Sequence, residues 1–181
     1  MSAKPAYEYN AQRWSDIQEH LPRLFAAASQ HCVEIGVRTG MSTSALLAGV
    51  ERRGGHLWSF DVNDCPVFKG HPQWTFTRMD TVKDAKFALE YIPVFVNVLF
   101  VDGDHTYEGV RADFLMYRDY VRPSGYIAFH DINDSEFHRA NMVGVARLWD
   151  ELKGHKIEFN LNQTWAGIGV IQHETLTMPS P

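Results

Sequence analysis

Acidic side chains recur at the ends of the short apolar runs of this chain. Glu34 and Gly36 close His31-Cys-Val, Asp61 closes His56-Leu-Trp-Ser-Phe, Asp102 closes Asn97-Val-Leu-Phe-Val, and His130-Asp131 closes Tyr126-Ile-Ala-Phe. A carboxylate in such a place either accepts charge-assisted hydrogen bonds from a ligand or caps a turn by bonding backbone N–H groups. Each residue alone fits both uses; their recurrence at every one of these ends points to a ligand site. The densest stretch is Asp102-Gly-Asp104-His105-Thr-Tyr107, where an imidazole able to move a proton near neutral pH stands among carboxylates. A second stretch, Glu34-Ile-Gly36-Val-Arg-Thr-Gly40-Met-Ser42, is a glycine turn. Gly36 and Gly40 let the backbone bend sharply and approach a ligand, but the G-x-G-x-x-G spacing of a dinucleotide site is missing.

These residues need a scaffold of alternating strands and helices. Helical spacing of Ile17, Leu21, Leu24, Phe25 and Ala28 predicts a helix over 13–29, divided at Pro22. Strands are expected at 31–36, 56–61, 74–78, 97–102 and 126–130. Helices are expected at 42–53, with Ser42 as N-cap and Gly54-Gly55 as stop, and at 81–92, 107–121 and 143–153. Pro123-Ser-Gly125 reads as a turn. Segments 156–161 and 167–173 read as a closing antiparallel pair around 162–166. Strand–helix alternation implies βαβ units, a mainly parallel sheet with helices on both faces, and ligands at the carboxyl ends of the strands.

The E-x-G-x-x-x-G-x-S run resembles the first motif of class I S-adenosylmethionine (SAM) methyltransferases. D-G-D-H-x-Y, His130-Asp131, Arg122-Pro-Ser-Gly125 and Gly144-Val-Ala-Arg-Leu-Trp149 resemble one branch of them, the small-molecule O-methyltransferases related to macrolide-sugar, rhamnosyl and cephalosporin-pathway enzymes. The resemblance runs from about Cys32 to Val170 and implies a Rossmann-like α/β fold with an antiparallel C-terminal strand. It implies that Glu34, Gly36, Gly40, Ser42, Asp61, Asp80 and Asp102 hold SAM, with Asp61 on the ribose hydroxyls and Asp80 near the adenine amino group. For Asp80 an N-cap of the following helix is an equal reading. It further implies a divalent metal, Mg or Mn, on Asp102 and Asp131, and His105 as general base, with Asp104 orienting it or serving as base. The branch carries an acid where this chain has His130. Imidazole favours Mn, Fe, Ni or Zn over Mg, so this position either ligates a different metal, weakens Mg binding, or caps a turn.

The implied reaction is methyl transfer from SAM to a hydroxyl of a small polar acceptor. Two rivals are a non-catalytic SAM-binding module and an N- or C-methyltransferase without metal. The acceptor site is open, or completed by a second copy of the chain, or shaped by 62–73 and by 132–142 with Asp134, Glu136, His138 and Arg139. Tyr107, Phe114, Tyr117 and Trp149 read as core, and Trp165 as a pocket wall or interface residue. At 181 residues, with 45% hydrophobic and 22% charged residues, one domain over 1–173 with a loose tail at 174–181 is expected. A net charge of −5 argues against nucleic acid or an acidic membrane surface. Neither a membrane span nor a signal peptide is evident. Cys32 and Cys65 lack metal spacing and read as reduced thiols in a cytoplasm.

Overall fold

The computed structural model describes residues 30–84, 95–160 and 166–178, together with His20, Leu24, Ala27, Lys86 and residues 90–92. Most of the expected 13–29 helix, residues 85 and 87–89 of the expected 81–92 helix, and Trp165 lie outside the described residues. In chain order the elements are β1 (His31–Ile35), α1 (Met41–Arg52), β2 (His56–Asp61), β3 (Trp74–Arg78), β4 (Val96–Val101), α2 (Tyr107–Tyr117), β5 (Val121–His130), α3 (Glu136–Ala140), α4 (Val145–Glu151), β6 (Lys156–Phe159) and β7 (Ile168–Gln172). They build one seven-stranded sheet in the order β3-β2-β1-β4-β5-β7-β6. The first five strands pair in parallel, and β7 runs antiparallel to both β5 and β6.

Strand order reverses between β1 and β4, which opens a crevice at their carboxyl ends. Successive residues of the inner strands face opposite cores. Leu99 and Val101 of β4 join Val33, Phe60, Phe114 and Phe129 on one face. Val98 and Phe100 join Cys32, Ala45, Leu46, Val50 and Leu57 on the other. Burial on both faces is why these strands read as continuous apolar runs rather than alternating ones. Among the described residues no helix is long and apolar enough to cross a membrane.

Several boundaries differ from the sequence expectation. Pro123-Ser-Gly125 lies within the ten-residue β5, its register with β4 broken between Val96 and Val98; such an irregularity accommodates a proline that cannot donate to the ladder. α2 ends at Tyr117 and continues as a 3-10 turn over Arg118–Tyr120. Segment 132–142 contains a short helix, α3. The described part of the expected loose tail is tied down. His173–Thr175 form a 3-10 turn, Thr177 exchanges backbone hydrogen bonds with Lys153, and Leu176 and Met178 pack on the core.

Two features fix the crevice. Gly36 adopts φ +92 and lies so close to β4 that a Cβ would stand 2.0 Å from the Asp102 carbonyl oxygen. Its N–H bonds to Phe60 O at 2.8 Å, while Asp102 N–H bonds to Ile35 O at 2.8 Å. The second feature is Glu34, fully buried on the α1 side of the sheet. It accepts hydrogen bonds from Ser42 Oγ at 2.6 Å, Thr43 Oγ1 at 2.8 Å and Ser59 Oγ at 2.7 Å. Burial pushes its carboxyl up to about 7, against the pull of these three hydroxyls. Ser42 therefore does not cap α1. Gly40 holds the N-cap position at φ +77 without a side-chain bond, and the Ser42 hydroxyl is committed to Glu34.

A Gly36→Ala variant is expected to lose ~3 kcal/mol or more in a chemical denaturation series, because both the left-handed backbone and the contact with Asp102 resist a side chain. Glu34 also sets a pH dependence. Its folded value lies above the ordinary 4.5, so its stabilising effect is complete below that value and is lost as pH rises through about 7. A Glu34→Gln variant should show a flatter loss of melting temperature between pH 4.5 and 7 than the parent; parallel profiles would refute a buried titrating Glu34.

Candidate functional site

At one end of the crevice, the carboxyl ends of β1 and β2 present the turn Gly36–Gly40 beside Asp61. Asp61 Oδ2 accepts from the N–H groups of Val37 and Arg38, each at 2.9 Å. Its Oδ1 accepts from Asn63 N–H at 2.8 Å. Burial opposes its charge, but these backbone donors outweigh burial and hold the carboxyl below its ordinary range. Asp61 is thus both the acid closing β2 and the clamp that keeps the glycine turn down. Arg38 takes a left-handed backbone at φ +49, and Arg38 and Thr39 are exposed above the buried Glu34 network. Segment 62–73 folds back over this turn: a Cβ on Gly40 would stand 2.7 Å from Val67 Cγ2.

Of the residues expected to hold SAM, Glu34 and Ser42 lie beneath the turn and shape it from within. Asp80 caps the turn that follows it. Its Oδ1 accepts from Val82 and Lys83 N–H, and its Oδ2 pairs with Lys83 Nζ at 2.7 Å. Lys83 holds its carboxyl below the ordinary range. The next residue, Thr81, donates to the buried Asp113 of α2 at 2.5 Å. Burial pushes Asp113 up to about 6 despite that bond. Nothing in the spacing around Asp113 pointed to this, since an acid in a helix usually faces water.

At the second end, β4 and β5 bring Asp102, His105, His130 and Asp131 together. His105 Nε2 donates to Asp102 Oδ1 at 3.1 Å and lies 3.7 Å from Asp131 Oδ2. His130 Nδ1 sits between the two acids, 3.3 Å from Asp102 Oδ1 and 3.2 Å from Asp131 Oδ1. Burial resists charge on Asp102, yet His130 and His105 hold its carboxyl far below the ordinary range. The hydrogen bond that His105 donates to Asp102 raises the imidazole against burial. Burial works against charging His130, but Asp102 and Asp131 carry it well above its ordinary value.

Asp104 does not join this group. Its Oδ1 accepts from Thr106 N–H at 2.9 Å, its side chain rests over Gly109, and Thr106 then caps α2. Among the expected core aromatics, Phe114, Tyr117 and Trp149 are buried, while Tyr107 is half-buried and donates to Glu151 at 2.6 Å.

The residue missed by sequence reasoning is His138. It was grouped with Asp134, Glu136 and Arg139 as a polar surface for an acceptor. Arg139 does pair with Asp134 at 2.9 Å on the surface, but His138 is 1% exposed. Its Nδ1 lies 2.6 Å from Asn133 O and its Nε2 3.4 Å from Asp131 Oδ1. The legible signal was Ser135-Glu136: Ser135 caps α3 by accepting from His138 N–H, the serine-then-acid start of a helix.

The group has the make-up of a cation site. Asp102, His105 and Asp131 each offer a ligand atom, and these atoms all lie within 4.8 Å of one another. Asp131 Oδ1 is buried, with His130 Nδ1 at 3.2 Å and His138 Nε2 at 3.4 Å. Asp131 also holds a left-handed backbone at φ +61, a conformation that Asp tolerates better than most residues. The donors present fit a divalent ion.

Residues 33–132 match the model of a family described as a methyltransferase domain. An uncharacterized protein, R132, of Acanthamoeba polyphaga mimivirus is 35% identical over 68 residues, which is 38% of this chain and 31% of that protein. Among solved structures, cofactor-bound Rv0187 from MTB superposes with a TM-score of 0.69 at 15% identity, covering 94% of this chain and 87% of the other. The MycE methyltransferase of mycinamycin biosynthesis, crystallised with Mg, SAH and mycinamycin VI, superposes with a TM-score of 0.62 at 15% identity. That match covers 99% of this chain but 58% of MycE. The chain thus spans about a third of its viral relative and somewhat over half of MycE. On the family match over residues 33–132 the chain belongs to the methyltransferase-domain family, and its sheet order and superpositions give it a Rossmann-like α/β fold.

Proposed function

We propose that this methyltransferase moves the methyl group of SAM to a hydroxyl of a small polar acceptor, a sugar, polyol or natural-product intermediate, with help from a divalent metal. The observation that carries this reading is the convergence of Asp102, His105 and Asp131 at the carboxyl ends of β4 and β5. It adjoins the glycine turn, whose Gly36 packs on the Asp102 backbone. The Mg in the MycE complex supports the metal; Asp102 and Asp131, with His130 beside them, would hold it. When bound, such an ion lowers the pKa of a coordinated hydroxyl and orients it.

The chain's own residues divide the remaining work. The Gly36–Gly40 turn, held by Glu34 and Ser42 from below, seats the methionine end of SAM. Asp61 offers its remaining lone pairs to the ribose hydroxyls. Asp102, where the two halves of the crevice meet, faces both SAM and the metal. Asp80 borders the adenine edge while capping its turn. His105 takes the hydroxyl proton as the oxygen–methyl bond forms and the sulfur–methyl bond breaks, leaving a methyl ether and S-adenosylhomocysteine. Asp102 orients the His105 ring through its hydrogen bond. Because the displacement is in-line, this positioning supplies much of the rate. We place the activity in the cytoplasm, on a free small molecule.

Calorimetry with SAM and S-adenosylhomocysteine tests the cofactor half. Micromolar binding that weakens at least tenfold in Asp61→Asn is expected; equal binding by the variant would remove Asp61 from the ribose. Methyl transfer to a panel of polyhydroxylated acceptors tests the rest. His105→Ala should lower kcat by about 10²–10⁴ while SAM binding persists. Transfer that survives this substitution, or that goes to amines, would overturn the O-methylation reading.

A further inference from the structure

Asp113 is an acid placed where an apolar side chain would pack. It is 1% exposed, and the other buried residues of α2 are Val110, Phe114 and Tyr117. Two further acids, Asp80 after β3 and Asp104 after β4, face it and oppose its charge. Burying a carboxylate there costs stability that a hydrophobic residue of like volume would not. What the carboxylate does is reach two turns at once. Its Oδ1 accepts from Thr81 Oγ1 at 2.5 Å. Its Oδ2 rests so near the turn after β4 that a Cβ on Gly103 would stand 3.3 Å away. One helical turn further along α2, Tyr117 OH donates to Thr81 O at 3.0 Å. One face of α2 therefore holds Thr81 by both its hydroxyl and its carbonyl.

The turn so held is closed on itself. Asp80 O accepts from Asp84 N–H at 2.8 Å, and Asp80 N–H donates to Asp84 Oδ2 at 3.3 Å. Asp80 Oδ1 takes the N–H groups of Val82 and Lys83. Such a turn moves as a unit, and its direction is set by whatever fastens it to the body. On one side that is the end of β3, where Met79 N–H bonds to Asp61 O at 2.9 Å. On the other it is Thr81 on α2.

We propose that Asp113 is a positioning residue for adenine recognition: through Thr81 it fixes where the Asp80 turn meets the base, and against Gly103 it keeps that turn in register with the loop that carries His105. α2 starts at Tyr107, just beyond His105, so the helix is joined to that loop by the chain and to the Asp80 turn by Asp113. A hydroxyl bonded to a carboxylate makes a charge-assisted bond, stronger than a neutral one, which suits a fastening that must hold direction. This inference rests on the reading of the crevice as a SAM site with Asp80 at the adenine edge; it involves neither the metal nor the acceptor.

The test is calorimetry of the full chain with S-adenosylhomocysteine and with its inosine counterpart, in which a carbonyl replaces the adenine amino group. The parent should prefer the adenine compound by ~10-fold or more. Thr81→Val deletes the hydroxyl and should weaken S-adenosylhomocysteine by about 10-fold and cut the preference to below about 3-fold. Asp113→Asn keeps an acceptor oxygen for Thr81 and should retain most of both. Because Thr81→Val leaves a buried carboxylate short of a donor, the paired variant Thr81→Val with Asp113→Leu stands beside it. Replacing both partners by apolar groups of like shape is close to neutral for stability, so its melting temperature should match or exceed the parent's while the adenine preference is lost. A paired variant that keeps the parent's affinity and preference, or that melts well below the parent, would mark the pair as structural and overturn the proposal. An Asp113→Asn variant as weak as the paired one would overturn it too. A parent that binds neither compound would overturn the cofactor reading and this inference with it; a parent that binds both equally would overturn this inference alone.

Discussion

The bare Cα of Gly36 against the carbonyl of Asp102 is the contact on which the molecule's working half depends. Parallel strands β1 and β4 meet where the strand order reverses, and their chain ends must turn away to opposite faces of the sheet. The separation there leaves no room for a side chain on Gly36. The closeness has a chemical result. It puts the glycine turn directly beside Asp102, the acid of the His105–His130–Asp131 group. A glycine in a turn after a strand is often explained by ligand approach; at Gly36 the tightest approach is made by the protein's own backbone.

Beneath that contact, Glu34 uses one carboxylate to join three elements: β1 carries it, α1 supplies Ser42 and Thr43, and β2 supplies Ser59. A buried acid is costly unless satisfied, and three hydroxyl donors satisfy it. The same logic runs at the other end with charge added. Two carboxylates are enclosed by three imidazoles, from the loop after β4, the end of β5, and α3. One end of the crevice is therefore rigidified by neutral hydrogen bonds, and the other by groups that can exchange partners.

The fold was legible because the apolar runs of β1, β2 and β4 are buried on both faces and are separated by helical periodicities. The carboxylates at strand ends were legible for the same reason: they stand where an apolar run stops. What was hidden depended on where short polar segments turn. Asp80 and Asp104 look like site residues in sequence, and Oδ1 of each is also held by backbone N–H groups two or three residues ahead. Ser42 looked like a cap, and a more distant acid claimed its hydroxyl. His138 looked like surface because five helical residues carry too weak a period to reveal a buried side. The three-dimensional partner decided each case, and no local pattern names that partner.

The left-handed backbone at Asp131 has an evolutionary consequence. At φ +61 the position is comfortable for few residue types, chiefly glycine, asparagine and aspartate. Drift there is channelled: the accessible replacements preserve the chain path and remove the charge. A lineage can therefore lose the Asp131 carboxylate in one step while the surrounding architecture survives, leaving a folded descendant with a different charge in the crevice. Gly36 and Glu34 allow no such separation, since a change at either disturbs the packing of β1 against β4 or α1.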